Sequence, residues 1–143
     1  MGGASTLKDG KPSYTYNWLG LQRYTVAAPQ ALTAGKATIR FEFAYDGGGI
    51  GKGGMGTMFV NGQKVAEGRI DKTQCCVFSA DEGADVGIDD GTPVSEDYKA
   101  SEESRFTGKI AKVTVELKPG KALNNTETEQ IKLNNATAKQ AVD

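Results

Sequence analysis

Histidine is absent from the 143 residues, and only two cysteines, four prolines and one tryptophan are present. Without histidine there is no Ser-His-Asp or Cys-His arrangement, no imidazole general base and no imidazole metal ligand. The two cysteines are adjacent, Cys75 and Cys76. Neighbours on a strand point to opposite faces, so an ordinary disulfide between them would require backbone distortion, and two free thiols are expected. No stretch approaches the ~20 apolar residues that span a bilayer, and the start of the chain lacks the charged-then-apolar pattern of an export signal. The residues therefore name no compartment. An excess of one charge is missing too, since 17 basic residues against 18 acidic leave a net charge of -1. On that balance neither nucleic acid nor a membrane surface is expected as a partner.

What is present is strand periodicity and glycine. Nineteen glycines against four prolines point to many tight turns. Tyr14, Tyr16 and Trp18 alternate with Thr15 and Asn17 up to Gly20, and residues 23–27 read as a second strand stopped at Pro29. From Lys36 the chain alternates Ala37, Ile39, Phe41, Phe43 and Tyr45 with Thr38, Arg40 and Glu42, the clearest strand in the sequence. A glycine loop follows at 47–56. Two runs, 57–60 and 64–70, then flank Asn61-Gly62, which predicts a type I′ hairpin because both central residues need positive φ. Residues 75–79 are a short strand candidate, and the acidic stretch 81–98 has room for one more around Val86. Residues 109–117 alternate again, with Ile110, Val113, Val115 and Leu117 as apolar points. Seven or eight short strands with no crossover helix predict an all-β, two-sheet antiparallel β-sandwich. The domain is placed at residues 8–119, and 120–143 as a polar tail, weakly ordered or helical.

Three features invite a functional reading. Gly49, Gly51 and Gly54 satisfy G-x-G-x-x-G, but the loop opens into a strand and not into a helix whose amides would face a pyrophosphate. A bulged connection is the plainer reading. The alternative is a backbone nest at Gly51, Lys52 and Gly53 that holds a sulfate or carboxylate, flanked by Tyr45 and Trp18 as a stacking platform for a sugar. Asp85, Asp89 and Asp90 lie in a carboxylate-rich loop of the kind that binds calcium, although no EF-hand frame is present and solvated loop acids are the simpler account.

Several blocks taken together carry a resemblance. They are Tyr14-Thr15-Tyr16-Asn17-Trp18-Leu19-Gly20, Ile39-Arg40-Phe41-Glu42-Phe43-Ala44-Tyr45-Asp46-Gly47-Gly48, Gly51-Lys52-Gly53-Gly54, Asp85-Val86-Gly87, Thr92-Pro93-Val94 through Tyr98, and Phe106-Thr107-Gly108-Lys109-Ile110. In order and combination these blocks resemble the C-terminal region of long bacterial arylsulfatases, over residues 8–119. The resemblance implies an accessory β-sandwich of the jelly-roll kind, concanavalin-like or laminin-G-like, that follows a sulfatase catalytic domain. The nucleophile motif C/S-x-P-x-R of that family is missing, because Val77 and Ser79 stand at the required positions after Cys75, and Phe78 and Ala80 after Cys76. No catalytic residue is carried over and the chain is not expected to be an enzyme. It is expected to pack on or assist a sulfatase catalytic domain, or to self-associate, with no cofactor beyond a candidate calcium ion. The alternative expectation is a stand-alone protein that binds a carbohydrate or anionic small molecule, a sulfated ligand among them.

Overall fold

The computed structural model describes residues 2–75, 84–90, 92–99, 101–118 and 129. Two antiparallel three-stranded sheets carry the described part of the fold. The first joins β1 (Gly2–Lys8), β2 (Lys11–Trp18) and β3 (Gln22–Ala27) in that order. β2 and β3 follow the predicted alternation. β1 was not expected, since Gly2-Gly3-Ala4-Ser5-Thr6 has little strand propensity; it is held by its ladder to β2, from Gly2 opposite Asn17 to Lys8 opposite Lys11. Asp9 and Gly10 both take positive φ, 51° and 73°, as a two-residue hairpin between twisted strands requires.

The second sheet joins β4 (Ile39–Tyr45), β5 (Gly54–Val60) and β6 (Gln63–Ile70). The predicted hairpin at Asn61-Gly62 is present, with φ of 51° and 81°. On the inner side of this sheet two aromatic rings of β4 lie over glycines of β5. A Cβ on Gly56 would stand 2.6 Å from the Phe41 ring, and one on Gly54 would stand 2.6 Å from the Phe43 ring.

The sheets meet through Val26, Ala28 and Met58, with Tyr14, Phe41, Val65 and Ala66 packed around them. Tyr14 stacks on Phe41 with ring centroids 3.8 Å apart and planes 13° from parallel. Val26 approaches Gly68 so closely that a Cβ there would lie 3.0 Å from its methyl carbon. Met58 is fully buried, a burial worth about 1.5–3 kcal/mol. The sheets do not close into a barrel. On the opposite side of the first sheet Ser13, Thr15 and Asn17 are buried although polar. Cross-strand hydroxyl pairs satisfy the first two, Ser13 with Thr6 at 2.9 Å and Thr15 with Thr25 at 3.1 Å, and Asn17 accepts the Gly20 N–H at 2.8 Å. Residues 94–97 lie across that side, tied down by Arg23 to the Val94 carbonyl (3.2 Å) and to Glu96 (2.9 Å), and by Lys8 to Asp97.

Two strand expectations change, and a third lies almost wholly outside the described residues. Residues 109–117 form no strand: among the described residues no ladder includes them, and Val115 and Leu117 are 78% and 91% exposed. Alternation records that a segment has two faces, whereas a strand also needs a neighbouring backbone. Val86 sits in a bend before Gly87, whose φ of 86° turns the chain out of the extended region. Cys75 is outside any strand, and 76–79 lie outside the described residues, as does the tail 120–143 apart from Glu129. A 3-10 turn forms at Ser101–Ser104, and Glu129 in the tail is helical.

Candidate functional site

The glycine loop leaves β4 at Tyr45, turns through positive φ at Gly47, Gly48, Gly49 and Gly51, and enters β5 at Gly54. The Tyr45 hydroxyl closes it, donating to the Gly49 carbonyl at 2.5 Å and accepting the Lys52 N–H at 3.0 Å. The Asp46 N–H bonds the Gly53 carbonyl at 3.0 Å across the neck. Residues 71–75, which leave β6, run past this loop as a strap. Thr73 donates its hydroxyl to the Lys52 carbonyl at 2.6 Å, and the Gln74 N–H bonds the Tyr16 hydroxyl at 2.7 Å on the other sheet. Gly53 has no space for a side chain, because a Cβ would stand 2.3 Å from the Ile70 carbonyl oxygen and 2.6 Å from that of Asp71. At Gly51 the same atom would touch Cys75 at 3.4 Å.

The loop therefore gathers four of the residues expected to bind a ligand, Tyr45, Gly51, Lys52 and Gly53, but uses them differently. The Lys52 amide and carbonyl and the Tyr45 hydroxyl are spent inside the fold, and Gly53 is a packing glycine. The Tyr45 hydroxyl already accepts the Lys52 N–H, which takes one donor away from an anion-binding nest at this point. The Lys52 ammonium has no partner among the described residues. Trp18 stands apart, on the first sheet, with the Lys72 ammonium 4.8 Å from its ring centroid. Beside the loop Arg69 grips Asp46 through two nitrogens, one contact measuring 2.8 Å, and reaches Asp71 at 3.6 Å. The hydrogen bond from Arg69 holds the Asp46 carboxyl below the ordinary carboxylate range. Burial first, and the Asp71 charge second, push the Tyr24 hydroxyl upward. That hydroxyl is buried between the sheets with no partner among the described residues.

The cysteine expectation is corrected here. Cys75 is disulfide-bonded, and the chain's one other cysteine is its neighbour Cys76. The objection to that bond came from the alternating directions of a strand, and Cys75 is not in one.

No family model matches the chain. Neither does any curated protein or solved structure.

The acidic stretch is a loop that caps itself. Asp89 accepts the Val94 N–H at 2.9 Å and the Tyr98 hydroxyl, and the Ser104 hydroxyl accepts the Asp89 N–H at 2.8 Å. Asp85 accepts the Asp90 N–H at 3.1 Å. Burial first, then the hydrogen bond to Asp89, push the Tyr98 hydroxyl up to about 12. Asp85, Asp89 and Asp90 thus lie close in one loop, with the first two turned onto the loop's own donors; among the described residues no three Cys, Asp or Glu side chains are grouped so as to hold a metal ion. A shallow open depression of about 310 Å3 lies between Val86, Ile88, Arg105, Phe106 and Ile110. Its one charged group, Arg105, is engaged with Glu102 at 3.3 Å. Sequence reasoning missed Thr73, Gln74 and Arg69, and no local pattern marks them, since each acts through a neighbour distant in sequence.

Proposed function

We propose that the chain is a non-catalytic module, a β-sandwich of the jelly-roll kind, that works by packing on or assisting a sulfatase, as the resemblance to arylsulfatase C-terminal regions implies. The junction of the two sheets at Val26 and Met58 supports the sandwich. The observation that carries the reading is the inner row of β4. Ile39, Phe43 and Tyr45 share a side with the core residue Phe41, yet are 40%, 39% and 45% exposed. An apolar row that continues a core into solvent marks a surface built to be covered. In the expected ligand loop the Lys52 amide and carbonyl and the Tyr45 hydroxyl are engaged within the fold. The test is retention of the chain on an immobilised catalytic domain of a long bacterial arylsulfatase. Retention is expected, and Phe43→Ser should weaken it at least tenfold, about 1.4 kcal/mol. Hydrolysis of nitrophenyl sulfate by the chain alone, or no retention at all, would overturn the reading.

A second reading rests on the Lys52 ammonium, which lacks an acceptor among the described residues while the loop holds its backbone rigidly. In that reading the loop binds an anionic ligand such as a sulfated sugar through this charge. Sulfate or a sulfated disaccharide should then raise the melting temperature, since a ligand that binds only the folded state stabilises it. Lys52→Ala should remove the shift, and a shift that persists in Lys52→Ala would rule this site out.

A further inference from the structure

Residues 109–117 and β4 are two halves of one unmade ladder. Among the described residues no backbone group in 109–117 hydrogen-bonds to another, and Val113, Val115 and Leu117 face water. β4 is an edge strand with β5 on one side only, so the N–H and C=O groups of its outer edge have no described strand beside them. Such an edge, lined by apolar side chains, is a template for another strand. We propose that residues 109–117 of one copy add to the β4 edge of a second copy, reciprocally, so that each second sheet becomes four-stranded in a two-fold dimer.

The faces match. From Ala111 onward Ala111, Val113, Val115 and Leu117 take one side and Lys112, Thr114 and Glu116 the other. β4 has Ile39, Phe41, Phe43 and Tyr45 inward and Arg40 and Glu42 outward. The apolar rows select the direction. With Phe43 opposite Val113 in an antiparallel pairing, Val115 meets Phe41 and Leu117 meets Ile39; Arg40, bonded to Glu42 at 3.1 Å in its own copy, comes opposite Glu116, and Glu42 lies diagonal to Lys112 as well as to Glu116. A parallel pairing that keeps Phe43 opposite Val113 brings Lys112 opposite Glu42, but it sets Lys109 against Ile39 and carries Leu117 past Tyr45, the last residue of β4. The added strand lies beside the exposed inner row of β4 and widens it, leaving its face open. The other edges offer less. β1 presents Gly2, Gly3 and Ala4, with Lys8 already engaged by Asp97, and β3 and β6 face each other at Val26 and Gly68. The proposal goes beyond the reading above, because it uses the backbone edge of β4 and a copy of the chain in place of a sulfatase.

The test is light scattering of the full chain over a wide concentration range, with amide hydrogen exchange on the same samples. A dimer is expected, in which the amides of 111–116 and of the outer edge of β4 exchange at least about tenfold more slowly than in dilute monomer. Val113→Pro removes a ladder donor from a segment that is unpaired within its own copy, so it should yield a folded monomer. Lys112→Glu should weaken the dimer, and adding Glu42→Lys should restore it. A monomer at every concentration overturns the proposal. So does protection of 111–116 that is independent of concentration, because the segment would then be docking on its own copy. Retention of Val113→Pro on the sulfatase domain is read in parallel, so that failure of the exchange and failure of the proposed function are told apart.

Discussion

Within the two sheets the backbone pairs with itself, N–H to C=O along ladders. From 84 to 104 it hangs its amides on side chains: Asp89 takes the Val94 N–H, Asp85 that of Asp90, Glu103 that of Lys99, and the Ser104 hydroxyl that of Asp89. A ladder is indifferent to most side chains and sheds water cooperatively. A carboxylate-capped loop depends on a few named residues, each able to fail alone. The two regions should therefore break differently under substitution.

The largest expected effect lies in the core. Met58→Ala should cost about 2–5 kcal/mol and lower the urea midpoint of both sheets together, since Met58 belongs to the cluster that joins them. Separate transitions for the two sheets would break the comparison at its strong end. Next comes Gly53→Ala, where the new Cβ would stand 2.3 Å from the Ile70 carbonyl oxygen; a shift of the strap costing about 1–3 kcal/mol is expected by the same denaturation. In the capped loop Asp89→Ala strands the Val94 N–H and the Tyr98 hydroxyl, a local loss of about 1–3 kcal/mol. It should speed proteolysis between 84 and 104 and leave the global midpoint nearly unchanged, and a matching fall in the midpoint would show that the loop is part of the cooperative unit. The smallest effect is absent at neutral pH. Burial, and for Tyr98 the neighbouring Asp89, push the Tyr14 and Tyr98 hydroxyls up to about 12 from an ordinary 10. A raised pKa means that the folded state keeps its proton longer, so stability is whole below pH 10 and falls as pH rises towards 12. Thermal melts across that window, with tyrosinate absorbance, test it; a flat melting temperature would remove both assignments.

How much of this was legible in the sequence can be judged residue by residue. The β5–β6 hairpin was readable because Asn61-Gly62 specifies its own backbone, and β2 and β3 because Tyr14, Tyr16, Tyr24 and Val26 alternate. β1 was passed over although Asp9-Gly10 is as direct a hairpin signal, since its other residues have no apolar pattern to announce a strand. Residues 109–117 were misread for the opposite reason: a clear pattern with no described neighbour to pair with. At the site the glycines at 51 and 53 were visible, but their purpose was not, because what they make room for, Cys75 and the Ile70 carbonyl, follows after a whole hairpin. Lys52 was legible as a charge, but the partners of its backbone N–H and C=O, Tyr45 and Thr73, were not.

The glycine at position 68 has a kinetic meaning. Both sheets are meanders in which every paired strand is the next along the chain, so their loops are short and closing them costs little entropy. The distant encounter is the meeting of Val26 with Gly68 and of Tyr14 with Phe41. Two quickly formed halves then have to find one another, and a bare backbone at position 68 lets the second accept the first without a side chain to move aside. Stopped-flow refolding of Gly68→Val should accordingly leave the early hairpin signal in place and slow the burial of Met58.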